Sequence, residues 1–249
     1  MYAKLGNDEH DRGFVPFTIL KKEAIASGPI YLLKIERQDS GKLFKYHPGQ
    51  YITLRVDKGG VLHHGHYSLL EPYNGQTYSV ALKQGNDFDQ NSIVSDEIIR
   101  KRAVGSTVLV SPPAGKFSLV KDGNHHLFIS GGIGIASFMA LIEELNQQGK
   151  LASATVVQCA RTDNHAAFAA TLHKLLPKEQ YVILTQNEPI SKNHLEGKLR
   201  SETHVYVSGS EAFLTMAENA LARFNHPKSQ IHMKSIEPTL RLLHELEQK

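Results

Sequence analysis

Two short segments hold the residue types and spacing that could do chemistry. Gly65-His66-Tyr67-Ser68-Leu69 sets an imidazole, a phenol and a hydroxyl side by side, downstream of the β-prone Pro48-Gly49-Gln50-Tyr51-Ile52-Thr53-Leu54. Ser130-Gly131-Gly132-Ile133-Gly134-Ile135 follows the apolar run His126-Leu127-Phe128-Ile129 and leads into Phe138 to Leu145, whose apolar residues have helical spacing. A strand breaking into glycines and then a helix suits an anion such as a phosphate. Glycine lets the backbone come close, and the helix N-terminus offers free N–H groups and a partial positive charge. The glycine spacing is not the six-residue fingerprint of dinucleotide-binding folds, and a plain tight turn is the alternative. Ser208-Gly209-Ser210-Glu211 repeats the strand, small-residue, helix order, with Ser210 placed to cap the helix.

The elements that must position these residues fall into two groups. From Phe14 to about Leu119 the chain is β-rich: strands are expected over Phe14–Leu20, Pro29–Ile35, Tyr51–Val56, Thr77–Leu82 and Val108–Val110. A helix over Ile93 to Lys101 interrupts them, with Ser92 and Ser95 as candidate caps. Short strands at this spacing predict an antiparallel β-barrel or sandwich. After about Val120 strands and helices alternate. The strands are Leu127–Ile129, Ala154–Gln158, Tyr181–Leu184, His204–Val207 and Ile231–Met233; helices run to about Gln148, over Ala166–Leu175 and over Glu211–Phe224. That rhythm predicts an α/β doubly wound parallel sheet, which binds ligands beyond its strands' carboxyl ends where the strand order reverses. The expected division is a domain over residues 14–119 and a second over 120–249. Leu240, Leu243 and Leu246 give the tail an apolar helical stripe that could pack on the core or a partner.

Bulk properties narrow the function. A chain of 249 residues is long enough for two domains, and 41% hydrophobic with 21% charged residues is ordinary globular composition. A net charge of +3 without any run of five Lys/Arg argues against nucleic-acid binding. The single cysteine, Cys159, excludes an internal disulfide and a cysteine-ligated iron–sulfur cluster in this chain, and fits a reducing compartment. The polar start lacks the apolar core of a signal peptide, and no segment approaches the ~20 apolar residues of a membrane span. The expected location is cytoplasmic. The clusters His63, His64, His66 and His125, His126 lack zinc-ligand spacing, so no metal site is expected.

From about Phe14 to Pro238 the chain resembles the reductase half of flavohaemoglobins, within the ferredoxin reductase-like family. The resemblance rests on the order of Pro48-Gly49-Gln50-Tyr51, Tyr67-Ser68-Leu69, Val94-Ser95, Pro113-Ala114-Gly115-Lys116-Phe117 and the Gly131–Gly134 turn. It continues through Ala160-Arg161, His165-Ala166-Ala167-Phe168, the Gly209 turn and Ile231-His232. It implies a flavin-binding barrel followed by a nicotinamide-binding domain, with hydride passing from NAD(P)H to the flavin and electrons leaving singly. Within the resemblance Tyr67 would lie against the flavin ring and Ser68 near its N5, with His66, Leu69, Lys83 and Val94 in the surrounding cofactor site. Ser95 would face a flavin phosphate, Gly132, Gly134 and Gly209 the NAD(P)H pyrophosphate, and Arg161 the adenosine portion. Tyr67, Ser68 and Ser208 are the candidate catalytic residues.

Departures from the family pattern concentrate at one centre. The usual Arg-x-Tyr-Ser carries Gly65 at its arginine, with His66, His64 or Lys83 as possible substitutes. Ser208 stands for a cysteine, and Lys234 and Ile236 for a glutamate and an aromatic residue. The expected cofactor is FAD, with FMN possible, and NADH is preferred over NADPH, although Arg161 with Thr162 could accept a 2′-phosphate. Since the resemblance starts near Phe14, no globin or ferredoxin module is expected in the chain. Electrons would pass to a separate acceptor protein or a small oxidant. The rival expectation is a non-catalytic nucleotide-binding or regulatory subunit that has kept the fold.

Overall fold

The computed structural model describes residues 13–28, 30–39, 41–85, 92–121, 123–186 and 190–236. Six strands build an antiparallel sheet: β1 (Val15–Ala26), β2 (Ile30–Arg37), β3 (Tyr51–Lys58), β4 (Val61–Ser68), β5 (Thr77–Lys83) and β6 (Thr107–Val110). Their order is β4-β3-β6-β1-β2-β5. Alternation along β1 buries Phe17 and Ile19, and breaks in register after Ile19 and after Ala24 let this twelve-residue strand bend with the sheet. The edges β4 and β5 meet at a single bridge, Leu69 with Val80, and where the Leu70 N–H donates to the Ser79 carbonyl at 2.9 Å. The expected barrel is therefore a curled sheet stitched at one end. The outer half of β4, with Val61 and Leu62 exposed, never reaches β5.

Helix α1 (Ile93–Lys101) covers the opening, burying Val94, Ile98 and Ile99 in the same core as Leu54, Leu69 and Tyr78. Lys22 anchors its far end by donating to the carbonyls of Ile98, Ile99 and Arg102 at 3.2, 2.7 and 2.5 Å. Neither expected cap operates. Ser92 sits at the cap position but its hydroxyl donates to Asp96 (2.8 Å), and Ser95 lies inside the first turn with its hydroxyl bonded to Tyr67.

The second sheet is wholly parallel: β7 (His125–Gly131), β8 (Ala154–Cys159), β9 (Tyr181–Leu184), β10 (Thr203–Gly209) and β11 (Ile231–Ser235), in the order β11-β10-β7-β8-β9. The chain moves outward from β7 to β9 and then returns to place β10 on β7's other side, so the order reverses between β7 and β10. Helices α2 (Ala136–Gln147), α3 (Ala169–Leu175), α4 (Lys192–Leu195) and α5 (Glu211–Ala222) complete the two layers. One face buries Phe128, Phe138, Leu141 and Tyr206, together with Ile30, Leu70 and Ala81 from the antiparallel part, so the two sheets share this core. The other face buries Leu127, Ile129, Val205, Val207 and Phe213.

Several element boundaries differ from the sequence expectation for local reasons. Phe168 takes a left-handed φ of 62°, so α3 starts at Ala169 rather than Ala166. The Gly132–Ile135 turn is a 3-10 segment that precedes α2. The four-residue α4, held by reciprocal bonds between Ser191 and His194, is too short to leave a periodic signal. Ser210 does cap α5, accepting from the Phe213 N–H at 3.3 Å. The expected tail helix lies outside the described residues.

Candidate functional site

Strand alternation divides the residues of β4 between two faces. Gly65 and Tyr67 share one. A Cβ on Gly65 would lie 2.7 Å from the Tyr67 hydroxyl, so the phenol ring folds back over the glycine and bonds Ser95 Oγ at 2.9 Å. Burial raises the Tyr67 phenol above its ordinary value and keeps it neutral. On the opposite face His64 packs against Phe14 and near Arg55, and His66 Nδ1 lies 2.9 Å from Thr53 Oγ1. Neither histidine therefore replaces an arginine at Gly65, because side chains one residue away on a strand point to the other face. Burial lowers both imidazoles below their usual value. Lys83 is exposed at the end of β5. The Leu69 and Val94 side chains are core, and the Leu69 N–H donates to the Gln50 carbonyl (3.0 Å).

The two sheets meet through a chain of polar groups. Register places Gln158 of β8, Ser130 of β7, Ser208 of β10 and Lys234 of β11 in one row across the carboxyl half of the parallel sheet. Ser208, fully buried, donates to Ser137 Oγ at 3.1 Å. Ser137, near the start of α2, lies 3.2 Å from Ser68 Oγ. Lys234 Nζ donates to Ser68 Oγ at 2.9 Å and to the Gly49 carbonyl at 3.1 Å. The chain Lys234–Ser68–Ser137–Ser208 thus joins the end of β4 to the switch point of the parallel sheet.

Lys234 also lines an open cavity of about 350 Å³ with Gly49, Tyr51, Gly115, Phe117 and His232. Its ammonium lies 5.4 Å from the Phe117 ring centre and 5.8 Å from that of Tyr51. Burial lowers its pKa to about 8. One hydroxyl of the row, Ser130 Oγ, is buried without a hydrogen-bond partner among the described residues.

The glycines serve two purposes that the sequence does not separate. Gly132 is exposed, has a φ of +54°, and a Cβ there would meet open space, so its backbone is accessible to a ligand. Gly134 lacks a side chain because a Cβ would fall on the Ser208 carbonyl. A Cβ on Gly131 or Gly209 would come within 2.5 Å of the Phe213 ring, which fills the space between the ends of β7 and β10. Of the three glycines expected at a pyrophosphate, Gly132 alone leaves open space, while packing accounts for Gly134 and Gly209. Arg161 is exposed just past β8, its carbonyl accepting from the Gln186 N–H at 3.3 Å.

Sequence reasoning missed Ser137 and Ser130. The available signal was a hydroxyl inside an apolar stretch, Ser137 between Ala136 and Phe138, and Ser130 after Leu127-Phe128-Ile129. No group of three or more His, Cys, Asp or Glu suited to a metal occurs among the described residues. None of their helices is long and apolar enough to cross a membrane.

A curled antiparallel sheet joined at its stitched end to a doubly wound parallel sheet defines the ferredoxin reductase-like FAD/NAD(P)-binding class, whose members are FAD-dependent NAD(P)H oxidoreductases. The model of the dimethylamine monooxygenase subunit DmmA-like N-terminal domain matches residues 107–231, and the chain belongs to that family within this class. Flavohemoprotein A of Dictyostelium discoideum is 26% identical over 237 residues, covering 88% of this chain and 60% of its own length. The carnitine monooxygenase reductase subunit of Escherichia coli is 25% identical over 190 residues, covering 75% of this chain and 57% of the relative. The chain thus spans about 60% of the length of the curated relatives it matches. Among solved structures, the flavohem-like FAD/NAD-binding domain of nitric oxide dioxygenase from Vibrio cholerae has a TM-score of 0.79 at 21% identity. It covers 91% of this chain and 100% of that one. Phthalate dioxygenase reductase has a TM-score of 0.78 at 22% identity, covering 91% of this chain and 69% of that one. These structural likenesses support the fold.

Proposed function

We propose that this protein is a reductase component that takes electrons from NAD(P)H through FAD to a separate acceptor protein or small oxidant. The carrying observation is the hydrogen-bonded chain from Ser68 to Ser208, which joins the two surfaces that the two cofactors would need to share. The residues suit both groups. The open backbone of Gly132 and the orphaned Ser130 hydroxyl, two residues before it, suit a nicotinamide nucleotide at the switch point. Tyr67, Ser68 and Ser95 form the flavin side; FMN is the alternative there, since no arginine stands at Gly65 for the FAD pyrophosphate.

When bound, the flavin accepts hydride from the nicotinamide and releases electrons one at a time. The protein's part is orientation and electrostatics. Tyr67 offers a neutral ring as a stacking surface, with its hydroxyl held by Ser95. Ser68 presents its hydroxyl toward the flavin edge, and Lys234 places a positive charge against that hydroxyl. A cation there favours an electron-rich ring and raises its potential. Gly132 admits the nicotinamide nucleotide, and Arg161, exposed beyond β8, reaches the adenosine portion. NADH is preferred over NADPH on the flavohaemoglobin likeness. The division into a flavin half and a nicotinamide half falls near residue 120, between the end of β6 and the start of β7.

A fluorescence titration with FAD tests the reading. Wild type should quench FAD emission with a saturable isotherm, and Tyr67→Ala should weaken it by about tenfold, the loss of a stacked ring worth roughly 1 kcal/mol or more. Equal binding by the two proteins would remove Tyr67 from the site.

A further inference from the structure

The direction of each hydrogen bond in the junction chain follows from what its members can donate. Lys234 has only donors, and one of them goes to Ser68 Oγ at 2.9 Å. Ser208 donates to Ser137 Oγ at 3.1 Å. Among the described residues, Ser137 Oγ has two hydrogen-bond neighbours, Ser208 and Ser68. The 3.2 Å contact between Ser137 and Ser68 allows either hydroxyl to donate, but with Ser208 donating, Ser68 is the acceptor left to the buried Ser137 proton among the described residues. Ser68 Oγ then accepts twice, from Lys234 and from Ser137. A hydroxyl oxygen has two lone pairs. Both are used, and Ser68 is left with its own O–H as the only group it can offer.

We propose that Ser137 is a positioning residue that fixes Ser68 as an obligatory donor, by passing on to it the direction set by buried Ser208. This rests on the reading that Ser68 faces the flavin. An obligatory donor suits a ring nitrogen with a free lone pair, as in oxidised flavin, and opposes one that carries hydrogen, as in reduced flavin. Ser137 therefore holds the bound flavin's potential down, against the upward pull of the Lys234 charge. The arrangement is specific to the hydroxyl. Alanine at 137 would leave one lone pair of Ser68 open, letting it accept from a reduced ring nitrogen. Burial of Ser137 to 1% exposure keeps water from restoring the missing bond.

The test compares full-length wild type, Ser137→Ala and Ser208→Ala, each loaded with FAD, by anaerobic equilibration against a reference dye. The FAD dissociation constant is read first. Ser137→Ala should change the ratio of affinities for oxidised and reduced flavin by about tenfold, raising the two-electron midpoint potential by about 30 mV. Ser208→Ala, which removes the donor to Ser137 but leaves Ser68 as the acceptor of the Ser137 proton, should move the potential less than Ser137→Ala does. Ser137→Thr, which keeps the hydroxyl, should return the potential to the wild-type value. Wild type and Ser137→Ala with bound FAD and equal potentials would overturn the role of Ser137 and leave the flavin reading standing. A wild type that binds no FAD would overturn both.

Discussion

Lys234 is a cation half-buried against two aromatic rings, and replacing it with methionine gives a prediction that needs no cofactor. Its ammonium makes two hydrogen bonds to oxygen, to Ser68 and Gly49, yet no carboxylate compensates its desolvation among the effects that set its pKa. Burial displaces that pKa from 10.5 to about 8. At ~1.4 kcal/mol per pH unit, the displacement corresponds to about 3.5 kcal/mol. Solvent reaching the open cavity and the two oxygen acceptors cut this to about 1.5 kcal/mol. The sign follows from proton binding. Between the two pKa values the unfolded chain holds the proton more tightly, so folding becomes more favourable as pH rises through that window. Below about pH 8 the folded protein bears the full cost of the buried charge. Urea unfolding of wild type and Lys234→Met at a series of pH values isolates this group, because every other titration cancels in the difference. Wild type should gain about 1.5 kcal/mol relative to Lys234→Met between about pH 8 and pH 10.5. A difference that stays flat across that range would refute the claim that burial strains this lysine.

Gly134→Ala should destabilise far more than Gly132→Ala: the first drives a methyl onto the Ser208 carbonyl, while the second meets open space and costs only about 1 kcal/mol for its positive φ. Comparable melting temperatures for the two variants would contradict this division of labour. Phe213→Ala should cost about 3 kcal/mol by emptying the space between the ends of β7 and β10, read by denaturant midpoint; a loss under about 1 kcal/mol would mean the site collapses freely. Gly65→Arg should tighten FAD by about tenfold, since a charge-assisted phosphate contact exceeds the Tyr67–Ser95 bond it displaces. Unchanged or weaker FAD binding in a fluorescence titration would place the pyrophosphate elsewhere.

Much of the architecture was legible because it lies in periodicity. The helix over Ile93–Lys101 and the strand over Tyr181–Leu184 have the bounds their patterns predict, and Ser210 caps α5 as its position suggests. Tertiary features were not legible. Phe168 turns left-handed and delays α3, and β4 leaves the edges of its sheet mostly unpaired, both consequences of contacts distant in sequence. At the site, sequence reveals which residues carry hydroxyls but not which faces they share. It groups His66 with Gly65 and Tyr67, although strand alternation turns His66 toward Thr53. It reads Gly134 and Gly209 with Gly132 as pyrophosphate contacts, although the Ser208 carbonyl and Phe213 explain those two by packing. Ser137 escaped notice because its partners, Ser68 and Ser208, are 69 and 71 residues away.

The central claim is that both cofactors meet at the Ser68–Ser208 junction, and anaerobic reduction of the FAD-loaded protein by NADH tests it most directly. Absorbance near ~450 nm should bleach on mixing with NADH, because the flavin carries the hydride chemistry and the fold supplies its alignment. A bound flavin that stays oxidised under excess NADH and NADPH, yet is bleached by dithionite, would contradict the account. The junction would then be a structural seam between two sheets rather than a route for electrons.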